Sequence, residues 1–545
     1  MLRVQSYLKQ KVKKALQKLN FPVIDYQFDR PKFEAHGDIS INLAMLLAKK
    51  LKKNPREIAQ SISNSLLLDN GKIKKVEIAG PGFINFFLSK SFLQESINLI
   101  LEEEGNFGRF NLQKGKKTQV EFVSANPTGP LTVGHGRQAI LGDTIANLLE
   151  WTGHDVTREY YFNNAGRQMR VLADSVRLRY LEQTGEDVDF PEDYYQGDYI
   201  KEIASKIKIE KNEELKSENN LDFFKNKAET LIFADIKQTL KRLGIQFDVL
   251  FNELDLYESG EIDKVLKIFK DKKLSYEKEG AIWFNSTKFG LEKDRVIVKS
   301  TSEPTYRLPD IAYHKNKLDR GFDIIVDIFG ADHLDTYPDV LAGIKALGHD
   351  ANKIKVLIHQ FVTLFEGEEK IKMSTRKATF VTLEELLDEV GEDVTRWFFL
   401  MRGMQSHLNF DLTLAKTHSD ENPVYYNQYA HARICSIFRT AKEKGVHYKN
   451  DNFFFRLNEE SEFELIKKLI EFPSLVERCA TDFEPHLLTQ YLSEVSTAFH
   501  KFYTNCWVIG EDYELTQARL GLCLATKIVL ANGFKILGVS APEKM

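Results

Sequence analysis

The chain reads as a multidomain α/β protein. It divides into a small α+β domain over residues 1–115, a parallel-sheet domain over 116–400 split by an insertion of about 180–290, and an α-helical bundle over 401–545. Three observations predict this. Strand-like and helical runs alternate after the first domain, and a strand, helix, strand unit of that length makes a right-handed parallel crossover. The alternation stops and later resumes, so the doubly wound sheet is interrupted in sequence. Beyond about residue 400 strand signals nearly vanish and long helical periodicities take over. A length of 545 residues suits about three compact units.

In the first domain, Met1 to Lys18 is a lysine-rich amphipathic stretch without an apolar signal core. The runs "ISINLAMLLAKKLKK" and "NPREIAQSI" predict two helices, and "KKVEIAG" and "FINFFLS" predict strands around the turn Gly80-Pro81-Gly82. Residues 1–117 hold 21 Lys/Arg against 11 Asp/Glu, which leaves 54 against 68 for the rest of a chain totalling 75 and 79. Clusters such as "KQKVKKALQK" and "KKLKKNPR" either attract a phosphate backbone or solvate helix faces. No run of about 18 uninterrupted apolar residues occurs, so we expect a cytoplasmic chain with no membrane partner. Cys435, Cys479, Cys506 and Cys523 form no CxxC pair, which argues against a disulfide framework and a structural zinc.

After the polar link "NLQKGKKTQ", "VEFVS" predicts a strand and "DVTREYYF" another. The helix between them, "GRQAILGDTIANLLEWTG", puts Ile140, Leu141, Ile145, Leu148 and Leu149 on one face. The pattern resumes with strands "RVIVKS" and "DIIVDIFG", the helix "LDTYPDVLAGIKALG" and the strand "KVLIHQF". The charged insertion is largely helical, and its role is not readable. In the tail, "NPVYYNQYAHARICSIFRTAKEKG" and "ELTQARLGLCLATKIVLANGFKILG" predict long helices.

The stretch "GPLTVGHGRQAILGD" carries the first sign of chemistry. Pro127 and Pro130 keep the chain extended, and Gly134, His135 and Gly136 open a helix at the carboxyl edge of a parallel sheet, where such sheets bind ligands. A helix amino terminus suits a phosphate, and the two glycines leave room for an adenine ring or a phosphate chain. His135 can donate to a phosphate oxygen as charge builds there. The second sign is "KIKMSTRKA", a cationic loop after a strand, with Lys372 standing 237 residues beyond His135. Lysines on such a loop can close over a triphosphate and offset the charge of leaving pyrophosphate.

Together these segments resemble the paired HIGH and KMSKS signatures of class I aminoacyl-tRNA synthetases, which implies a Rossmann-like catalytic domain. The resemblance narrows to the arginyl-tRNA synthetase family through "VEFVSANPTGPLTVGHGR", "YYFNNAGRQM", "PTYRLPDIAYH" and "KMSTR". The tail segments "YNQYAHARI", "FYTNCWVIGED" and "LGVSAPEKM" are similar to the anticodon-binding end of that family, and "HGDISINLAMLLAKKLKKNPREIA" to its amino-terminal addition. Two departures stand out: Thr132 replaces the first histidine of HxGH, and Thr375, followed by Arg376, replaces the second lysine of KMSKS. Thr132 can hydrogen-bond but carries no charge, and Arg376 can supply the displaced cation.

The resemblance implies ATP-dependent activation of L-arginine to arginyl-adenylate, then transfer to the 2'-hydroxyl of the terminal adenosine of tRNA(Arg), with Mg2+ on the phosphates. No protein nucleophile is required; positioning and charge stabilisation carry the reaction. It assigns His135, Lys372, Thr132 and Arg376 to catalysis, and Gly134, His135, Gly136, Asp332, His333, Lys372, Met373 and Ser374 to ATP. For arginine it implies Glu121 at the α-ammonium, with Ser124, Asn126, Tyr306, Asp310 and His333. Residue chemistry agrees at one place: Tyr306 and Asp310, four apart in the helix "TYRLPDIAYHKNKL", share a face, and a carboxylate beside an aromatic ring receives a guanidinium. His333 reads equally as an ordinary helix-start histidine. Tyr425, Tyr426, Tyr429, Tyr503 and Trp507 are either core or stacking platforms for anticodon bases. We expect a monomer.

Overall fold

The computed structural model describes residues 2–31, 33–111, 113–216, 220–371 and 381–545. In the first domain the elements are α1 (Leu2–Lys18), β1 (Phe28–Asp29), β2 (Ile39–Ile41), α2 (Leu43–Leu51), α3 (Pro55–Ser65), β3 (Ile73–Ala79), β4 (Phe83–Leu88) and α4 (Lys90–Glu103). The strands form an antiparallel sheet in the order β1-β2-β4-β3. Helix α3 starts at Asn54, whose side chain accepts from the Arg56 N–H while Pro55 takes the first helical position. Leu8, Val12 and Leu16 of α1, Leu47 and Ile62 of the next helices, and Ile41 and Phe86 of the sheet make its core.

The second domain runs through β5 (Lys117–Glu121), α5 (Val133–Trp151), β6 (Asp155–Phe162), α6 (Gly166–Gln183), α7 (Asp198–Lys211), α8 (Leu221–Arg242), β7 (Val249–Asn252), α9 (Leu254–Glu258), α10 (Glu261–Asp271), β8 (Ser275–Lys278), β9 (Ala281–Phe284) and β10 (Arg295–Val298). It continues with α11 (Arg307–Asp319), β11 (Ile324–Gly330), α12 (Tyr337–Leu347), β12 (Ile354–His359), β13 (Val362–Glu366), β14 (Glu369–Lys370), α13 (Leu383–Val390), α14 (Glu392–Leu400), β15 (Leu408–Asp411) and α15 (Leu412–Ala415). A five-stranded sheet, ordered β12-β11-β5-β6-β7 with every neighbour parallel, forms its centre. The chain steps outward from β5 to β7, returns on the other side at β11 and steps outward again to β12. The carboxyl ends of β5 and β11 therefore flank a topological switch point, the crevice where open α/β sheets bind ligands.

Three features differ from the sequence reading. The run "RVIVKS", expected in the parallel sheet, is β10 of a separate antiparallel sheet ordered β10-β9-β8, because a short apolar run has no periodicity that distinguishes the two environments. The stretch read as a helical insertion supplies β7, the edge of the parallel sheet. Helix α5, expected to be amphipathic, is buried around most of its circumference, including Arg137, Gln138, Asp143 and Thr144, because the sheet lies on one side and α14, α17 and α19 on others.

The last four helices are α16 (Pro423–Glu443), α17 (Glu460–Asp482), α18 (His486–Asn505) and α19 (Tyr513–Leu537). By length and composition α19 is apolar enough to cross a membrane, yet 72% of its most apolar window is buried, and it packs on α4, α5, α16, α17 and α18. All four cysteines are free and buried. Arg396 joins this bundle to the sheet domain: it donates to the carbonyls of Leu537 and Leu243 at 2.7 Å each and to Asp143 at 2.5 Å.

Candidate active site

Thr132 caps α5. Its hydroxyl accepts from the His135 N–H at 3.5 Å, and the Thr132 N–H donates to His135 Nδ1 at 3.2 Å, so histidine fills the return position of a capping box. A nitrogen that accepts carries no proton, so neutral His135 keeps its hydrogen on Nε2. Burial lowers its pKa, against a smaller opposing pull from Asp332, which favours that neutral form. The expected phosphate donor is thus a fixed tautomer, and the Thr132 hydroxyl lies 3.2 Å from the same Nδ1.

The two glycines divide in role. Gly134 is exposed, and a methyl on it would meet only the Thr132 hydroxyl, at 3.7 Å. Gly136 was expected beside the nucleotide, but it is buried: a methyl there would lie 2.5 Å from Leu383 Cδ1 and 3.2 Å from Phe399. Its missing side chain admits α13, not a ligand. Leu383 also donates its N–H to the Leu131 carbonyl at 2.8 Å, and Thr132 bridges Thr382 in antiparallel fashion. The chain following the cationic segment therefore abuts the cap of α5. On the other flank, Ile371 donates to Leu364 at 3.0 Å. Lys372, Met373, Ser374, Thr375 and Arg376 lie outside the described residues. Arg137 ties the same junction by donating to the carbonyls of Gln360, Gly403 and Ser406 at 2.6, 3.2 and 3.0 Å.

Beneath the switch point, Glu159, Glu121 and Asp327 stand abreast in register on β6, β5 and β11. Three adjacent carboxylates repel unless compensated. Helix α11 and the residue that ends it supply the cations: Lys317 pairs with Glu121 and, at 2.6 Å, with Asp327; His314 pairs with Asp327 at 3.0 Å; Arg320 forks onto Glu159 at 2.6 and 2.8 Å. Lys317 and Asp327 are wholly buried. Lys317 and then His314 hold the Asp327 carboxyl at about 2 against the upward push of burial. Glu121 is only 3% exposed and also accepts from Ser124 at 2.9 Å. Glu121, expected at an ammonium, is thus paired with an internal one, that of Lys317.

Asp310 differs from that row. Its carboxylate makes no hydrogen bond or ion pair among the described residues, since Lys315 pairs with Asp319 and Glu261, and Arg307 with Asp339. Burial pushes its pKa up to about 7, with Glu253 and Glu121 adding to the rise and His314 and Lys317 opposing it. Glu253, which sequence reasoning missed, accepts from Tyr161 at 2.7 Å; Glu253 and Asp310 together raise the Tyr161 and Tyr257 phenols, after burial. Two carboxylates and two tyrosines thus lie within electrostatic reach of one another. The only sequence signal for Glu253 is its position directly after β7, itself unread. Tyr306 lies one helical turn from Asp310, with its carbonyl accepting from the Asp310 N–H at 3.2 Å, but its ring is 54% exposed and faces the Arg307 guanidinium at 4.6 Å.

Ser124 and Asn126 stand on the loop between β5 and α5. The Ser124 hydroxyl also accepts from the Tyr161 N–H at 3.1 Å, and Asn126 accepts from the Asn163 N–H at 2.9 Å and donates to Gln168 at 3.1 Å. At the end of β11, Asp332 and His333 are exposed and 3.7 Å apart, and the His333 ring stacks on Phe329 at 5.0 Å. A methyl on Gly330 would lie 2.5 Å from the Asp332 carboxylate. His359, at the end of β12, was also missed. It is 7% exposed, burial lowers its pKa to about 4, and Nε2 has no partner among the described residues. Of the five tail aromatics, none is buried; Trp507 is 85% exposed, and Tyr425 stacks on Tyr429 at 6.3 Å.

Comparison with known proteins covers every domain. Residues 6–88 match the arginyl tRNA synthetase N terminal domain, 96–399 the catalytic domain of tRNA synthetases class I (R), and 427–545 the DALR anticodon binding domain. The chain is 52% identical over 522 residues to the arginine–tRNA ligase of Desulfotalea psychrophila, with 95% of each chain covered. It is 48% identical to that of Salinibacter ruber, over 99% of this chain and 100% of the other. A Campylobacter jejuni arginyl-tRNA synthetase structure superposes with a TM-score of 0.77 at 33% identity, covering 84% of this chain and all of that one. The Thermus thermophilus arginyl-tRNA synthetase shares the fold over the full length of both chains, with a TM-score of 0.80 at 22% identity. With all three domains matched and relatives at about half identity over nearly the whole chain, the chain belongs to the arginyl-tRNA synthetase family of class I aminoacyl-tRNA synthetases.

Proposed function

We propose that the chain activates L-arginine with ATP, releasing pyrophosphate, and passes the arginyl group to the 2'-hydroxyl of the terminal adenosine of tRNA(Arg). One observation supports the substrate reading: Glu253, just beyond β7, and Asp310, in the first turn of α11, form an acidic pair whose members act on one another and on the Tyr161 phenol. The row of three carboxylates below already has three cationic partners, so this pair is the charge left over for a guanidinium. Tyr306 contributes an aromatic face at the rim, and Ser124, Asn126 and His333 line the backbone end of the amino acid.

In the first step the arginine carboxylate attacks the α-phosphorus. His135 Nε2–H donates to a phosphate oxygen as negative charge grows, and the positive end of α5 adds to it; both are fixed beforehand by the cap. Gly134 leaves that helix end open, and Asp332 and His359 supply polar groups for the nucleoside. Lys372, Met373, Ser374 and Arg376 act on the triphosphate from a segment whose far flank is bonded to Thr132. Mg2+ travels with the phosphates. The basic first domain, the half-buried Tyr425 and the exposed Tyr429 and Trp507 grip the tRNA body and anticodon bases. The chain acts as a cytoplasmic monomer.

ATP–pyrophosphate exchange tests this: arginine with tRNA(Arg) supports exchange and lysine does not, and exchange that ignores the amino acid overturns the reading. The acidic pair also fixes a pH dependence. Free Asp310 has a pKa of about 7 and must be ionised to hold a guanidinium, so arginine binds about tenfold more weakly at pH 6 than at pH 8. Calorimetry in buffers of different ionisation enthalpy then records close to one proton released per arginine at pH 6. Asp310→Asn removes the pH dependence.

A further inference from the structure

The stretch between α6 and α7, read from sequence as the start of an insertion without a visible role, reaches the loop that precedes His135. Tyr199, in the first turn of α7, donates its hydroxyl to the Thr128 carbonyl at 2.8 Å. Gly129 faces the same ring, where a methyl would lie 3.0 Å from the hydroxyl. A methyl on Gly197 would lie 2.4 Å from a Tyr199 ring carbon, so glycine there lets the ring fold back over the helix start. Tyr195, from the same stretch, donates its N–H to the Ser175 hydroxyl at 3.2 Å and so ties that stretch to α6. From the sheet side, Tyr160 donates to the Ala125 carbonyl at 2.7 Å.

The loop has reason to need this grip. Val123 and Ser124 carry φ values of +67° and +43°, a left-handed region that side chains disfavour, and the β-branched valine most of all. Such strain, roughly 1–3 kcal/mol per residue, persists only where the surroundings over-determine the conformation. Two tyrosine hydroxyls on two loop carbonyls do that.

We infer that Tyr199 is a positioning residue for loop 122–132: its hydroxyl pins Thr128 so that Ser124, Asn126 and Thr132 stand where arginine and ATP meet them. The inference rests on the reading of that loop as substrate-binding. Tyr199→Phe keeps the ring and removes the bond. In the full chain, hydrogen exchange then quickens at the amides of 122–132, and kcat/KM for arginine falls about tenfold while the thermal midpoint moves by no more than about 2 °C. Unchanged exchange in that loop, or a kinetic loss matched by faster exchange across the whole domain, overturns the inference. Asn126→Ala separates the two layers. If it raises the arginine KM while Tyr199→Phe leaves the loop rigid, the latch alone is wrong. If Tyr199→Phe loosens the loop and Asn126→Ala leaves the arginine KM unchanged, the substrate reading of the loop is wrong and the positioning role falls with it.

Discussion

Asp310→Asn lowers kcat/KM for arginine by about 100-fold or more, because removing one partner of a desolvated charge pair costs about 3 kcal/mol. The ATP KM changes little, and the thermal midpoint stays level or rises. The last point separates function from structure. The Asp310 carboxylate has no hydrogen-bond or ion-pair partner among the described residues and is pushed upward by burial and by Glu253, so an amide relieves repulsion in the free protein. Steady-state aminoacylation with arginine varied, beside a thermal melt, measures both. A lower midpoint with an unaltered arginine KM would make Asp310 a structural residue.

Lys317→Met does the reverse. It unfolds more easily by about 3–5 kcal/mol in a denaturant titration, since Glu121 and Asp327 are left as buried carboxylates without their shared cation. Glu121→Gln placed on top recovers part of the loss, as coupled neighbours do. The acid limb follows. Asp327, with a folded pKa of about 2 against an unfolded value near 3.9, adds stability at neutral pH that disappears as pH falls from about 4 through 2. In Lys317→Met that limb is shallower. A variant as stable as the parent would mean the ionic row carries no structural charge balance.

The sequence disclosed the parts of the site that depend on chain-local chemistry. Thr132, Gly134 and His135 sit within four residues of one helix start, so their arrangement follows from a cap. Tyr306 and Asp310 lie one turn apart for the same reason. What stayed hidden depends on contacts between distant segments. Glu121 reads as a free carboxylate until α11 brings Lys317 to it from 196 residues away. Gly136 reads as a ligand contact until Leu383 fills the space over it. Glu253 and His359 are polar residues at strand ends, and only the order β12-β11-β5-β6-β7 sets those ends at the two edges of one sheet. For the fold, alternation located the parallel sheet, but β7 and β10 carry short apolar runs whose pairing no local pattern encodes.

The central claim is that a single crevice at the sheet's switch point holds nucleotide on the His135 side and a guanidinium between two acids. A crystal structure of the chain with a non-hydrolysable arginyl-adenylate analogue tests it most directly. The account predicts the guanidinium bonded to both Glu253 and Asp310 and the phosphate group within hydrogen-bond reach of His135 Nε2. A guanidinium seated away from Asp310, or a phosphate remote from the start of α5, would contradict it.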